Sequence, residues 1–75
     1  MTEFTYQLEK HIATLSDNGN LSTELNIIRF GSNESKFDLR RWRRFRTGER
    51  RMQKGITMTA EELAQLRDVL NGLTL

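Results

Sequence analysis

The sequence contains no cysteine and no proline, and His11 is its only histidine. The first absence removes disulfides, thiolate metal sites and cysteine nucleophiles, and fits a reducing compartment. A single histidine cannot build a His-pair metal site or a multi-histidine catalytic centre. Long apolar stretches are missing as well: no run approaches the ~20 residues of a membrane span, and Met1-Thr2-Glu3 is not the basic start of a signal peptide. There is no Gly-rich phosphate loop, no nucleophile–base pairing and no carboxylate cluster at metal-ligand spacing. These gaps argue against an enzyme, a cofactor, a metal or a small-molecule substrate, and they suit a cytoplasmic protein.

At 75 residues the chain is one domain, residues 1–75. Domains of this size usually need a staple. With disulfides and metals excluded, association with a second copy is the staple that remains.

What the chain does have is charge, unevenly placed. The formal net charge is only +2, yet the stretch from Arg29 to Lys54 holds ten Lys/Arg against three Asp/Glu, a local excess of +7 over a remainder of −5. Surfaces usually intersperse the two signs, so a block of this kind calls for a polyanion or an anionic membrane as partner. Eight of the ten cations are arginine, whose planar fork suits phosphate and also stacks on bases. Trp42 and Phe45 lie among them. Cations for phosphates and flat rings for unstacked bases are what a single-strand binder requires.

The periodicities place these residues. Phe4-Thr5-Tyr6-Gln7-Leu8 alternates as a strand, and a phase change over Glu9 to Ile12 predicts a bulge. Asn18-Gly19 is a hairpin signal, Leu25 to Phe30 a β-rich run, and Gly31 to Ser35 a loop. Phe37 to Phe45 fits either period; strand-turn-strand through Thr47-Gly48 is preferred, with Met52 to Met58 as the return strand and Ile56 and Met58 inward. Gly55 marks a bulge or a close backbone approach. Thr59 and Glu62 have the spacing of a capping box, and Leu63, Leu66, Val69, Leu70 and Leu73 form an apolar arc. Their spacing suits a seam between two helices, although the arc could instead cover its own sheet. Phe4, Tyr6, Leu8, Leu25, Ile27, Phe37, Leu39 and Ile56 are core candidates, with Tyr6 and Phe30 alternatively on an open face. Two readings stay open for Arg40, a ligand contact or an ion pair with Asp38. The same holds for Trp42, as a stacking surface or a core residue.

Glu24-Leu25-Asn26-Ile27, Lys36-Phe37-Asp38-Leu39-Arg40-Arg41-Trp42 and Lys54-Gly55-Ile56-Thr57-Met58-Thr59-Ala60-Glu61-Glu62-Leu63, in that order and spacing, resemble the positive cofactor four family of transcriptional coactivators. The resemblance runs from about Leu21 to Leu73 and is nearest to the bacterial YdbC-like branch. It implies an α+β fold, a four-stranded antiparallel curved sheet followed by one C-terminal helix (β-β-β-β-α), dimerising through that helix. It further implies sequence-tolerant binding of single-stranded DNA in transcription regulation or a related DNA transaction, within the cytoplasm and at the nucleoid. By matched position Arg40, Trp42 and Lys54 would be contacts, with Arg29, Phe30 and Lys36 as weaker carry-overs. The connection from Trp42 to Lys54 is longer and richer in arginine than the bacterial pattern, which leaves the geometry of Arg43, Arg44, Arg46, Arg50 and Arg51 open, though not their sign. Rival readings are RNA binding, an anionic-membrane surface and an acidic-protein partner. The membrane reading needs Phe37 to Phe45 to be a helix with a clean apolar face, and the arginines leave only a narrow one.

Overall fold

Short polar runs fold the chain back on itself. At Asn18, the side-chain Oδ1 accepts from the backbone N–H of Asn20 and of Leu21, at 3.0 and 2.8 Å, and Gly19 takes the φ of 95° that this turn needs. Gly48, at φ 90°, closes a second turn by donating to the carbonyl of Phe45 at 2.9 Å. The computed structural model describes residues 5–75; Phe4, a core candidate, lies outside them. The elements are β1 (Tyr6–Asp17), β2 (Leu21–Phe30), β3 (Lys36–Arg44), β4 (Arg50–Met58) and α1 (Ala60–Asn71). All neighbouring strands pair antiparallel, in the order β1-β2-β3-β4. The expected β-β-β-β-α order holds.

β1 is longer and less regular than simple alternation predicts. Its pairing with β2 slips between Leu8 and Lys10, between His11 and Ala13, and again between Thr14 and Ser16. Each slip adds local twist, and the sheet curls as a result. Tyr6 stands opposite Phe30, whereas Trp42 stands opposite Ser22, eight residues back along β2. On a flat strand that is about 27 Å. Their ring centroids are nevertheless 5.7 Å apart, so diagonal corners of the sheet approach across its inner face.

The register assigns side chains to two faces. Ser22, Glu24, Asn26 and Ile28 of β2 share the inner face with Asp38, Arg40 and Trp42 of β3. The other face carries Leu25 and Ile27, opposite Leu39 and Phe37, with Ile56 and Met58 beside them on β4. The helix packs over β3 and β4 on this second side and makes no close approach to β1 or β2. An open apolar groove of about 500 Å³ is left between helix and sheet, lined by Leu15, Leu25, Leu39, Met58, Leu63, Leu66 and Leu70 among others.

The core differs from the sequence expectation in one respect. The fully buried residues lie mostly on the inner face and are largely polar: Ile28, Asn26 and Asp38, with Trp42, Glu24 and Ser22 close behind and Met58 the buried apolar residue on the helix side. Leu25, Ile27, Phe37 and Leu39 are only half-buried, while Tyr6, Leu8 and Ile56 are exposed. One short helix cannot cover a four-stranded face, so the apolar side stays wetter than the polar side that curls shut.

α1 begins as expected. Thr59 Oγ1 accepts from the Glu62 N–H at 3.1 Å and Glu62 Oε1 accepts from the Thr59 N–H at 2.9 Å, which completes the capping box. Glu61 and Glu62 face the positive end of the helix dipole. No residue of the helix is fully buried, and Val69, Leu70 and Leu73 are exposed.

Candidate nucleic-acid interface

The inner face is held by a chain of polar side chains. Buried Glu24 accepts from Ser22 Oγ at 2.6 Å, from Arg50 Nη2 at 2.7 Å and from Asn26 Nδ2 at 3.4 Å. His11, to which the sequence assigned no role, donates from Nδ1 to Asn26 Oδ1 at 2.6 Å, and its Nε2 accepts from Thr14 at 3.1 Å. Burial pushes the Glu24 carboxyl up, but the three hydrogen bonds and the Arg50 charge outweigh it and hold the group below its ordinary value.

Arg40 and Trp42 belong to this assembly. Arg40 grips Asp38 with two parallel bonds, Nε to Oδ1 at 2.7 Å and Nη2 to Oδ2 at 2.6 Å, and Asp38 is fully buried. A third bond runs from Nη1 to the Gln53 carbonyl at 3.2 Å, and the guanidinium lies 5.7 Å from the Phe30 ring centre. Of the two readings open for Arg40, the ion pair with Asp38 is the one formed. Trp42 is 2% exposed. Arg50 lies over its ring at 4.9 Å and Tyr6 against it, while its indole N–H is buried without a partner. The expectation of an open stacking surface at Trp42 is therefore corrected: a base could reach the ring only after Arg50 or Tyr6 moved. The cause is the curl of β1, not the C-terminal leucines, which lie on the other side of the sheet.

The hairpin joining β3 and β4 holds two consecutive cross-strand arginine pairs, Arg43 opposite Arg51 and Arg44 opposite Arg50. Like charges in direct opposition destabilise a sheet. The two pairs project from opposite faces and are relieved differently. On the inner face Arg50 is bound by Glu24, and Arg44 lies 3.8 Å from Asp17. On the helix side Arg51 has only the exposed Glu49, at 2.8 Å. Among the described residues Arg41, Arg43 and Arg46 have no carboxylate within ion-pair distance. Arg43 and Arg51 instead lie 5.5 and 4.9 Å from the ring centre of half-buried Phe45.

The remaining expected contacts are dispersed. Arg29 is held by Gln7 and lies 3.7 Å from Glu9. Phe30 sits at the far end of β2, and Lys36 is exposed at the start of β3. Lys54 is exposed in a bulge of β4 opposite Arg41. The structure thus sets Arg43 and Arg51 on either side of Phe45 and separates them from Arg29, Phe30 and Lys36. Phe45, named from the sequence as one of two rings among the cations, was not assigned a specific contact; the available signal was parity, since it alternates in step with Arg43.

Among the described residues no group of His, Cys, Asp and Glu could hold a metal ion, and no helix is long and apolar enough to cross a membrane. A curled four-stranded meander with one C-terminal helix and a cation-rich hairpin defines the class: a small basic β-sheet protein with the makings of a polyanion binder. The sequence profile described as Transcriptional Coactivator p15 (PC4) matches residues 21–69, which is more than half of the chain, and the chain belongs to that family. It is also 36% identical over 74 residues to an uncharacterized protein of Treponema pallidum (strain Nichols), a match covering 97% of this chain and 84% of that protein.

Proposed function

We propose that the protein binds single-stranded DNA, with little regard to sequence, as a homodimer serving transcription or a related DNA transaction. Its contacts would come from the basic segment: Arg43, Arg44, Arg46, Arg51 and Lys54 of the hairpin, with Arg29, Phe30 and Lys36 farther along the sheet. Arg40 and Trp42 would support that surface from beneath. The observation that carries the reading is the Phe45 ring flanked by two guanidinium groups, Arg43 with no carboxylate partner among the described residues and Arg51 with only the exposed Glu49. A single strand offers phosphates to such cations and base faces to such rings, whereas a duplex reader usually inserts a helix. The helix here opens with two acids and has none of the basic residues in its last turn.

Two features support the dimer. The chain exposes 6117 Å², against about 4,800 Å² for a compact monomer of its mass. The surplus is of the order of one partner's share in a standard interface, ~800 Å². The helix also offers apolar side chains: Leu63, Leu66 and Leu70 line the open groove, and Val69, Leu70 and Leu73 stand exposed.

The test is a titration with end-labelled oligo-dT, duplex DNA and oligo-U of equal length, followed by anisotropy, beside a native mass of the free protein. Preference for oligo-dT over duplex, with a log–log salt slope of about −0.7 per phosphate engaged, is the expected result. Equal or tighter binding to duplex, or a response flat in salt, refutes single-strand binding. Tighter binding to oligo-U reassigns the ligand to RNA. A mass of one chain at micromolar concentration refutes the dimer.

A further inference from the structure

We infer that Tyr6 is a built-in competitor of the DNA: against Trp42, its ring fills the place that a base takes when a single strand enters the inner face of the curled sheet. This rests on the single-strand reading above and goes further, because it gives that face a closed and an open state and names the side chain that separates them.

The closed state is the one formed in the free chain, where Trp42 lies sealed beneath the surface. Two groups cover its ring, Arg50 at 4.9 Å and Tyr6 at 5.7 Å between ring centres. They are held very differently. Arg50 donates to buried Glu24 at 2.7 Å, and withdrawing one member of such a pair is strongly unfavourable. Tyr6 is 37% exposed and is the first residue of β1, an outermost strand of the sheet. The register slips between Leu8 and Lys10, so only the short ladder from Tyr6 to Leu8 ties this end of β1 to β2. Strand ends of this sort open at low cost, and a turn about the Cα–Cβ bond alone carries the ring away. Arg50 is therefore the fixed part of the cover and Tyr6 the removable part.

The place that Tyr6 vacates suits a base. The tyrosine plane meets the indole at 58°, between the edge-to-face and offset-parallel arrangements that ring pairs favour. A base on a flexible chain can lie parallel to the indole instead. The indole N–H is buried without an acceptor, which costs the free protein stability. The gap beside the ring, lined by Ser22, Arg44 and Arg50 among others, is too narrow for a water molecule to supply one. Bases carry carbonyl oxygens and ring nitrogens that accept such a bond. Arg44 and Arg50, opposite one another across the hairpin, stand at the same gap, where an adjoining phosphate relieves their repulsion.

The experiment compares the parent with Tyr6→Ala, Tyr6→Phe and Leu8→Ala, none of which alters charge, by acrylamide quenching of Trp42 and by oligo-dT anisotropy at fixed salt. Thermal melting serves as the folding control. Trp42 is the only tryptophan, so emission reports this ring alone. Tyr6→Ala should make Trp42 more readily quenched and should tighten binding about three- to tenfold, the worth of one aromatic pair, at an unchanged salt slope. Tyr6→Phe keeps the ring and should bind as the parent does. Leu8→Ala trims a neighbour on the same strand end and should leave affinity unchanged. Saturating oligo-dT should also quench Trp42 in the parent, a readout that needs no substitution. Four results overturn the competitor while single-strand binding stands: no gain in quenching with Tyr6→Ala, no tightening with it, equal tightening with Leu8→Ala or Tyr6→Phe, or parent emission unmoved by saturating oligo-dT. If parent and Tyr6→Ala alike give no salt-dependent binding to oligo-dT, the functional reading fails and this inference fails with it.

Discussion

Replacing Gly55 by alanine tests the packing of β3 against β4. A Cβ built at Gly55 falls 1.9 Å from the Cβ of Arg40, 2.6 Å from the Leu39 carbonyl oxygen and 2.7 Å from the Arg40 Cα. Comfortable carbon–carbon contacts lie near 3.5–4.0 Å, and none of the three atoms can move by a rotamer change. The strands must therefore part by more than an ångström at the pair Arg40 and Gly55. Overpacking of this kind costs about 1–3 kcal/mol, and here the displacement also strains the bidentate bond from Arg40 to buried Asp38. A loss of about 3 kcal/mol or more is expected, from a total of roughly 4–11 kcal/mol for a domain of this length. The melting temperature should fall by at least about 12 °C, at ~4 °C or more per kcal/mol. Far-UV circular dichroism melts and urea titrations at one fixed protein concentration measure it. Gly72→Ala is the control, since its added Cβ meets only the Val69 carbonyl at 3.6 Å. If Gly55→Ala stays within ~0.5 kcal/mol of the parent, the close approach of the two strands is wrong.

Three further outcomes are expected. Glu24 has a lowered pKa in the folded chain, so its contribution is complete above the ordinary glutamate value of ~4.3 and is lost as pH falls through the folded value. Glu24→Gln should therefore cost ~2 kcal/mol at pH 7, with the gap to the parent closing in acid; parallel melting curves at pH 7 and pH 3 would contradict this. Thr59→Ala removes half of the capping box and should cost about 1 kcal/mol, read as a shift in urea midpoint at unchanged slope; no shift would mean the helix start is held by other means. Trp42 emission should be blue-shifted and poorly quenched by acrylamide in the free protein, and a water-like spectrum would show the ring to be open.

The element order, the Asn18-Gly19 turn, the capping box and the close approach at Gly55 were all legible, because each depends on residues adjacent in sequence or on a backbone requirement of one residue type. Alternation along Phe37 to Phe45 also correctly put Arg40 and Trp42 on one face. What alternation could not supply was the neighbour closing over that face. Tyr6 reaches Trp42 only because three bulges coil β1, and a single phase change at Glu9 to Ile12 signals just one of them. The separation of engaged from free arginines was hidden for a similar reason. Asp38 is two residues from Arg40 and could be weighed as its partner, but Glu24 and Arg50 are 26 residues apart and only the sheet register joins them. Core candidates failed where apolar character was taken for burial: Ile56 is 58% exposed while Asn26 is sealed, because the face that closes is the hydrogen-bonded one.

The irregular course of β1 bears also on the margins of the sheet. β1 and β4 are the outermost strands, and an unpaired margin is where a stray strand can add and propagate into aggregates. Three dislocations in β1 and one slip near the middle of β3–β4 pairing interrupt the straight ladder of donors and acceptors that such addition requires, and Arg50, Arg51 and Lys54 add repulsion along the second margin. The ribbon is blunted at both borders, so the chain can keep a large apolar face uncovered on one side without inviting growth of the sheet itself.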